Sequence, residues 1–272
     1  MDPDIKRIDE LIRLIRYYEY EWYTKSIRIV SDINLEALRN ELIKLEIKTN
    51  YIRNDSPSQN IGYLNPSSKK IQHNPPMLSL NKVYDDTEFL NKCRELQQIS
   101  PIIIQPKLDG CACSIIYRYG ILDSISLRGN GHYGEDITHH MENIQNIPIN
   151  IPNMDNIEIL DIRGEIVHQI QDNTINRNQI AGMLNRKKLT EMLEFIPYGI
   201  STPHQLTLNN IREYFKVIDT YTISEEQEIY NIISKQLPNT DGFVCRIKDN
   251  EIFHNLGYTD RFPHGAIALK FS

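Results

Sequence analysis

The sequence predicts an α+β fold, built on antiparallel sheets with flanking helices and preceded by a small helical module. Three observations predict it. The N-terminal quarter carries apolar residues at helical spacing and ends in a polar stretch. From Met77 onward, short apolar or alternating runs are joined by turn signals. Helical periods recur between those runs without a strict strand–helix alternation, which favours hairpin-joined sheets over parallel units.

Residues 4–24 place Ile5, Ile8, Leu11, Ile12 and Ile15 on one helical face with charges between them. Residues 33–47 repeat the pattern with Leu35, Leu38, Leu42 and Leu45, and Asp32 stands where an N-cap belongs. Asn54 to Pro76 is rich in Ser, Asn and Pro and reads as a long connection. Strands are predicted at 101–106, 111–118 and 121–127, with Tyr119-Gly120 as the tight turn between the last two, and further strands at 157–168, 195–200, 241–248 and 265–271. Helices are predicted at 86–98, 173–186, 207–217 and 224–236.

A chain of 272 residues suffices for one large domain and one small one. No run of about 18 uncharged apolar residues is present, so no membrane span is expected. The N-terminus, Met1-Asp2-Pro3-Asp4, is unlike a signal peptide. The four cysteines lack Cys-x-x-Cys spacing and read as small buried side chains in a reducing, cytoplasmic setting without structural zinc. The net charge of −6 argues against tight, sequence-independent DNA binding by this chain alone and leaves room for local basic patches. The eight histidines show no ligand spacing and read as surface or loop residues, and His139 and His140 as pointing apart.

Lys107 carries the chemistry. It follows an apolar strand in Gln105-Pro106-Lys107-Leu108-Asp109-Gly110. A lysine attacks phosphorus only as the neutral amine, and its reference pKa is about 10.4, so cationic neighbours or burial must free it. Lys270, Arg246 and Lys248 are candidate neighbours that would also hold a phosphate. Glu165, in a strand interior, needs a partner: a ribose hydroxyl, a magnesium ion or an arginine. Tyr198-Gly199 suits a flat base stacked over backbone, with core packing as the alternative. The glycines from Arg128 to Gly134 form either a phosphate loop or a plain turn leading into a helix.

Taken in order, Lys107-Leu-Asp-Gly, Arg128-Gly-Asn-Gly, Arg163-Gly-Glu, Thr240-Asp-Gly and Ala268-Leu-Lys-Phe resemble the motifs of nucleotidyltransferases that form lysyl-AMP. Pro76-Met77-Leu78-Ser79-Leu80-Asn81, Gly134-Glu135-Asp136-Ile137-Thr138 and Asp55-Ser56-Pro57-Ser58-Gln59 narrow this to the NAD-dependent DNA ligases. The resemblance spans the chain and implies an ATP-grasp-like ligase adenylation domain at 76–272, after a helical module at 1–75 that binds the nicotinamide mononucleotide half of NAD. It implies Lys107 as the adenylated nucleophile. Ser79, Leu80, Gln105 and Tyr198 would hold adenine, Arg128 and Glu165 the ribose, Arg246 and Lys270 the phosphate. Trp22, Tyr23, Asp32 and Glu36 would face nicotinamide mononucleotide, Arg177 the nick phosphate, and Glu165 is the candidate for Mg2+.

The departures are Gln105 for glutamate, Asn130 for aspartate and Arg246 for lysine, a set similar to the divergent ligase B branch. In the helical module Trp22-Tyr23 stands for a Tyr-His pair, Leu35 for a tyrosine and Glu36 for an aspartate. In that family an OB-fold, a zinc module, helix-hairpin-helix repeats and a BRCT domain come after the adenylation domain; the 272 residues are expected to be either part of such a longer protein or a minimal relative. The resemblance implies adenylation by NAD for transfer to a nicked DNA 5′-phosphate, by a monomer that grips duplex DNA weakly on its own. The alternatives are an ATP- or GTP-using RNA ligase or capping relative, and a non-catalytic nucleic-acid-binding protein.

Overall fold

A computed structural model describes residues 2–25, 29–53, 56–58, 69–168, 177–186, 188–235, 237 and 240–271. The helical module consists of α1 (Pro3–Lys25) and α2 (Asp32–Thr49). Ile8, Leu11, Ile12, Ile15, Leu35 and Leu42 bury the stripe that the helical period marks. Ser31, not Asp32, caps α2: its side chain accepts from the amide of Asn34, and Asp32 is already the first helical residue.

Next come β1 (Lys70–Gln72), β2 (Lys82–Val83), α3 (Asp86–Gln97), β3 (Ile102–Leu108), β4 (Cys111–Arg118), β5 (Ile121–Leu127), β6 (Tyr133–Glu135), β7 (Ile144–Gln145) and β8 (Leu160–His168). The chain continues through α4 (Arg177–Leu184), β9 (Leu193–Thr202), α5 (Leu208–Ile211), β10 (Tyr221–Thr222), α6 (Glu226–Ile233), β11 (Thr240–Ile247), α7 (Asn250–Asn255) and β12 (Ala266–Lys270).

Two five-stranded sheets hold most of the strands. One runs β10-β3-β11-β12-β2 and the other β5-β4-β8-β9-β7; every pairing is antiparallel except β12–β2 and β7–β9. The first sheet packs Ile102, Ile104, Phe243, Cys245 and Ile247 against Phe89, Leu90 and Cys93 of α3 and Ile229, Ile232 and Ile233 of α6. The second is centred on Tyr117, Ile162, Ile166 and Phe195, with Phe215 edge-on to Tyr117 and Phe195. No helix among the described residues is long and apolar enough to cross a membrane.

Tyr119 (φ 51°) and Gly120 (φ 76°) make the β4–β5 turn left-handed at both positions, the geometry that twisted hairpins favour. Several expectations need correction. Lys70–Gln72, assigned to a connection, pairs with β6. The loop after Arg128 leads into β6 rather than a helix. The helix predicted at 207–217 stops at Ile211, because Asn146 takes both the amide and the carbonyl of Lys216. The helix predicted at 173–186 is observed at 177–184, and 169–176 lie outside the described residues.

Phe195→Ala should remove about 3–5 kcal/mol of stability, the usual cost of deleting a fully buried ring beside residues that cannot collapse into the void. Urea unfolding followed by circular dichroism, at unchanged m-value, measures it.

Candidate active site

The two sheets and α2 enclose a cleft of about 1420 Å³. Lys107 enters it near the end of β3, its Nζ 2.6 Å from Asp241 Oδ1, while Lys270 Nζ lies 3.6 Å from Asp241 Oδ2. One carboxylate thus sits between two lysines on three adjacent strands. The β3–β11 register shifts between Thr240 and Phe243, and such irregularities re-aim side chains. Gly242, at φ 152°, is required there: a Cβ would lie 1.9 Å from the Leu269 carbonyl oxygen. Gly110 has a similar reason. Its Cβ would meet the Ile166 carbonyl oxygen at 2.3 Å and Glu165 Cγ at 2.9 Å, so only glycine lets the lysine loop lie against β8.

Glu165 lines the cleft from β8, and burial pushes its carboxyl up to about 7, against the opposing charges of Arg177, Lys107 and Arg128. Asp109 is also raised, by burial first and then by Asp241. Four of the predicted groups, Lys107, Glu165, Arg128 and Arg177, therefore form one electrostatic cluster.

Gln105 donates from Nε2 to the Tyr198 carbonyl and to Thr220 Oγ1, each at 3.1 Å. Ser79 and Leu80 lie on the segment between β1 and β2, which is fastened at several points. Met77 N donates to Gly131 O at 2.7 Å, and Arg128 Nη1 lies 3.4 Å from Ser79 Oγ. The strongest fastening is Arg163, which received no role from sequence. Its guanidinium donates to the carbonyls of Pro75 and Pro76 and pairs with Asp161 at 3.0 Å.

Arg246 lines the cleft, stacked over Phe253 at 4.4 Å, with Nη2 2.6 Å from Asn250 Oδ1. Burial lowers its pKa to about 10. Gly199 leaves room for it, since a Cβ there would lie 3.1 Å from Arg246 Nη1. Lys248 is not a companion on that face; it lies beyond β11 and is exposed. On the opposite wall Glu36 accepts from Arg261 at 3.3 Å, and buried Arg39 pairs with Glu19. Burial, then the charges of Arg261 and Arg128, lower Arg39 to about 10. The side chains of Trp22, Tyr23 and Asp32 lie outside the described ones.

The histidine expectations fail in part. His73 and His140 are buried, His73 Nε2 facing the carbonyls of Leu127 and Arg128 at 3.1 and 3.2 Å. His139 and His140 face each other with centroids 3.9 Å apart, because the backbone there is a 3-10 turn rather than an α-helix. Among the described residues no group of three or more His, Cys, Asp or Glu could hold a metal by itself. All four cysteines are free and buried, as expected. Asp241 and Arg163 stand in motifs that the sequence offers but received no role there, and Thr220 was not singled out at all.

Residues 66–272 match the family described as NAD-dependent DNA ligase adenylation domain, and residues 1–62 match the DNA ligase-like N-terminal NAD+-binding domain. The chain is 30% identical over 309 residues to a DNA ligase of Mycoplasma genitalium, covering 100% of this chain and 46% of that protein. It is 30% identical over 308 residues to one of Methylacidiphilum infernorum, covering 98% and 45%. The chain thus spans about half the length of the curated relatives it matches. Among solved structures, it is similar to the ATP-dependent DNA ligase of bacteriophage T7 in complex with ATP, at 13% identity and TM-score 0.38 over 74% of this chain and 67% of that one.

The raised Glu165 pKa has a sign that unfolding can read. Between the ordinary value of 4.5 and about 7 the folded protein keeps a proton that the unfolded chain has released, so stability falls as pH rises through that window. Glu165→Gln cannot ionise, so its stability relative to wild type should rise between about pH 5 and about pH 8. Urea titrations across that range check this, and a pH-independent difference refutes it.

Proposed function

This chain belongs to the NAD-dependent DNA ligase family, and on that premise we propose that it forms lysyl-AMP at Lys107 from NAD, releasing nicotinamide mononucleotide, for delivery to a 5′-phosphate in nicked duplex DNA. The observation that carries this reading is the position of Lys107. Its Nζ opens into a cleft whose walls present Gln105, Arg128, Glu165, Arg246 and Lys270, with Glu36 of the helical module opposite.

In this reading Lys107 attacks the α-phosphorus, the bond to nicotinamide mononucleotide breaks, and the amine sheds a proton. Asp241 Oδ1, 2.6 Å from Nζ, is the acceptor within reach of that proton. Lys270 and Arg246 hold the phosphoryl oxygens and offset charge that develops on them. Glu165 and Arg128 hold the ribose, and Arg163 keeps the Ser79–Leu80 segment over the base through the Pro75 and Pro76 carbonyls. Arg177 faces the nick phosphate.

Glu165 and Asp241 are hard oxygen donors in the same cleft, which suits Mg2+, an ion that commonly takes one or two carboxylates and completes its shell with phosphate and water. Bound there, Mg2+ would neutralise phosphate charge. By the resemblance, Trp22, Tyr23, Asp32 and Glu36 would take the nicotinamide mononucleotide half. The proposed division is a helical module at 1–75 and an adenylation domain at 76–272, with Lys70–Gln72 already paired to the latter through β6. Duplex DNA is the proposed partner, held weakly by a chain of net charge −6.

Lys107→Arg and Lys107→Ala should both abolish covalent labelling by adenylate-labelled NAD while leaving the unfolding transition intact. Arginine keeps the charge but stays protonated and cannot attack. Label on the arginine variant would place the nucleophile elsewhere. Deleting residues 1–62 should lower labelling by NAD by at least about 100-fold, since the remote half of a substrate supplies binding energy spent at the reacting centre. Undiminished labelling would assign the module another role.

A further inference from the structure

Resting on the reading of the cleft as an adenylate site, we infer that Thr220 is a positioning residue that decides which purine the site accepts, by locking the amide of Gln105 in one orientation. Gln105 is almost fully buried on β3. Its Nε2 lies 3.1 Å from the Tyr198 carbonyl oxygen and 3.1 Å from Thr220 Oγ1. A carbonyl oxygen only accepts, so the group facing it must be the amide NH2. The Thr220 hydroxyl donates to the Ile218 carbonyl at 3.3 Å, which turns its lone pairs toward Gln105.

Both N–H bonds of the amide are thereby used, one on β9 and one on the segment entering β10. What remains is Oε1, which makes no hydrogen bond among the described residues, on a side chain that lines the cleft. Toward the cleft Gln105 is thus left with an acceptor and no donor. An acceptor pairs with the exocyclic amine of adenine and meets the 6-keto oxygen of hypoxanthine or guanine lone pair against lone pair. Turning the amide over would reverse the preference, but it would set Oε1 against the Tyr198 carbonyl and break both bonds.

A glutamate at 105 would likewise place an oxygen against that carbonyl unless it were protonated. The amide at 105 and the hydroxyl at 220 are therefore a matched pair. The Tyr198 partner is main chain and persists in every variant, which leaves Thr220 as the side chain of the lock.

The test is calorimetric titration of the full chain with AMP and with IMP, alongside labelling by NAD. Wild type should bind AMP tighter than IMP by on the order of 10–100-fold, the effect of one opposed buried hydrogen-bonding group. Thr220→Val keeps the shape and removes the hydroxyl, and should narrow that ratio by about five- to tenfold, the net worth of one hydrogen bond. Thr220→Ser should preserve it. A purely structural role would weaken both nucleotides together and leave the ratio unchanged, which overturns the inference, as does equal binding of AMP and IMP by wild type. Should the valine variant fail to fold, Gln105→Leu supplies the comparison: it removes the acceptor, and a ratio that survives it overturns the inference equally. A preserved AMP preference without labelling by NAD would sink the enzymatic reading and leave the lock standing.

Discussion

The carboxylate of Asp241, 2.6 Å from Lys107 and 3.6 Å from Lys270, is the interaction on which the cleft depends. It joins the ends of β3, β11 and β12, where two partly buried ammonium groups would otherwise face each other. Removing one member of such a cluster leaves charge unpaired away from bulk water, which costs far more than the cluster contributes. Its geometry rests on irregular backbone: Gly242 passes under the Leu269 carbonyl at a φ that side chains avoid, and the register slips beside it. Regular pairing would carry Asp241 to another face, since one residue of slip in a strand exchanges its faces.

On the second sheet, Arg163-Gly164-Glu165 works as a unit through strand alternation. Arg163 and Glu165 share a face, and both line the cleft. Gly164 points the other way, where a Cβ would lie 2.5 Å from both the Phe195 ring and the Ile196 carbonyl oxygen. The glycine thus serves the core, the glutamate the cleft, and the arginine the segment above it. Charge-assisted bonds from Arg163 to two successive carbonyls are among the stronger ties available to a loop.

These particulars separate what sequence could reveal from what it could not. The strand that carries Lys107 and the apolar periods of α1, α2 and β3 to β5 were legible because burial imposes them. Asp241 as the partner of Lys107 was not, for the two are 134 positions apart and meet only through the β3–β11 pairing. Thr220 lies outside every motif, and its meaning comes from a glutamine 115 positions away. The helix expected at 207–217 was misjudged for the same reason, its period being real and its end set by distant Asn146. His73 shows the converse. Nothing near it in sequence signals burial, yet its ring is fixed by the carbonyls of Leu127 and Arg128.

The wall formed by the helical module adds a further constraint. Arg39 is held low by burial and by the charges of Arg261 and Arg128, so positive charge accumulates on both sides of the cleft. Glu19 answers Arg39, and Glu36 answers Arg261, but Arg128 Nε and Arg261 Nε are buried without hydrogen-bond partners among the described residues. Buried donors of that kind are costly, and an anion between the walls would satisfy them. An anion that binds both walls better than either alone must favour their approach, and by linkage their approach must favour the anion. On the proposed reading that anion is the phosphate part of the nucleotide, which would bring Arg128 Nε and Arg261 Nε the acceptor that the described residues do not offer them.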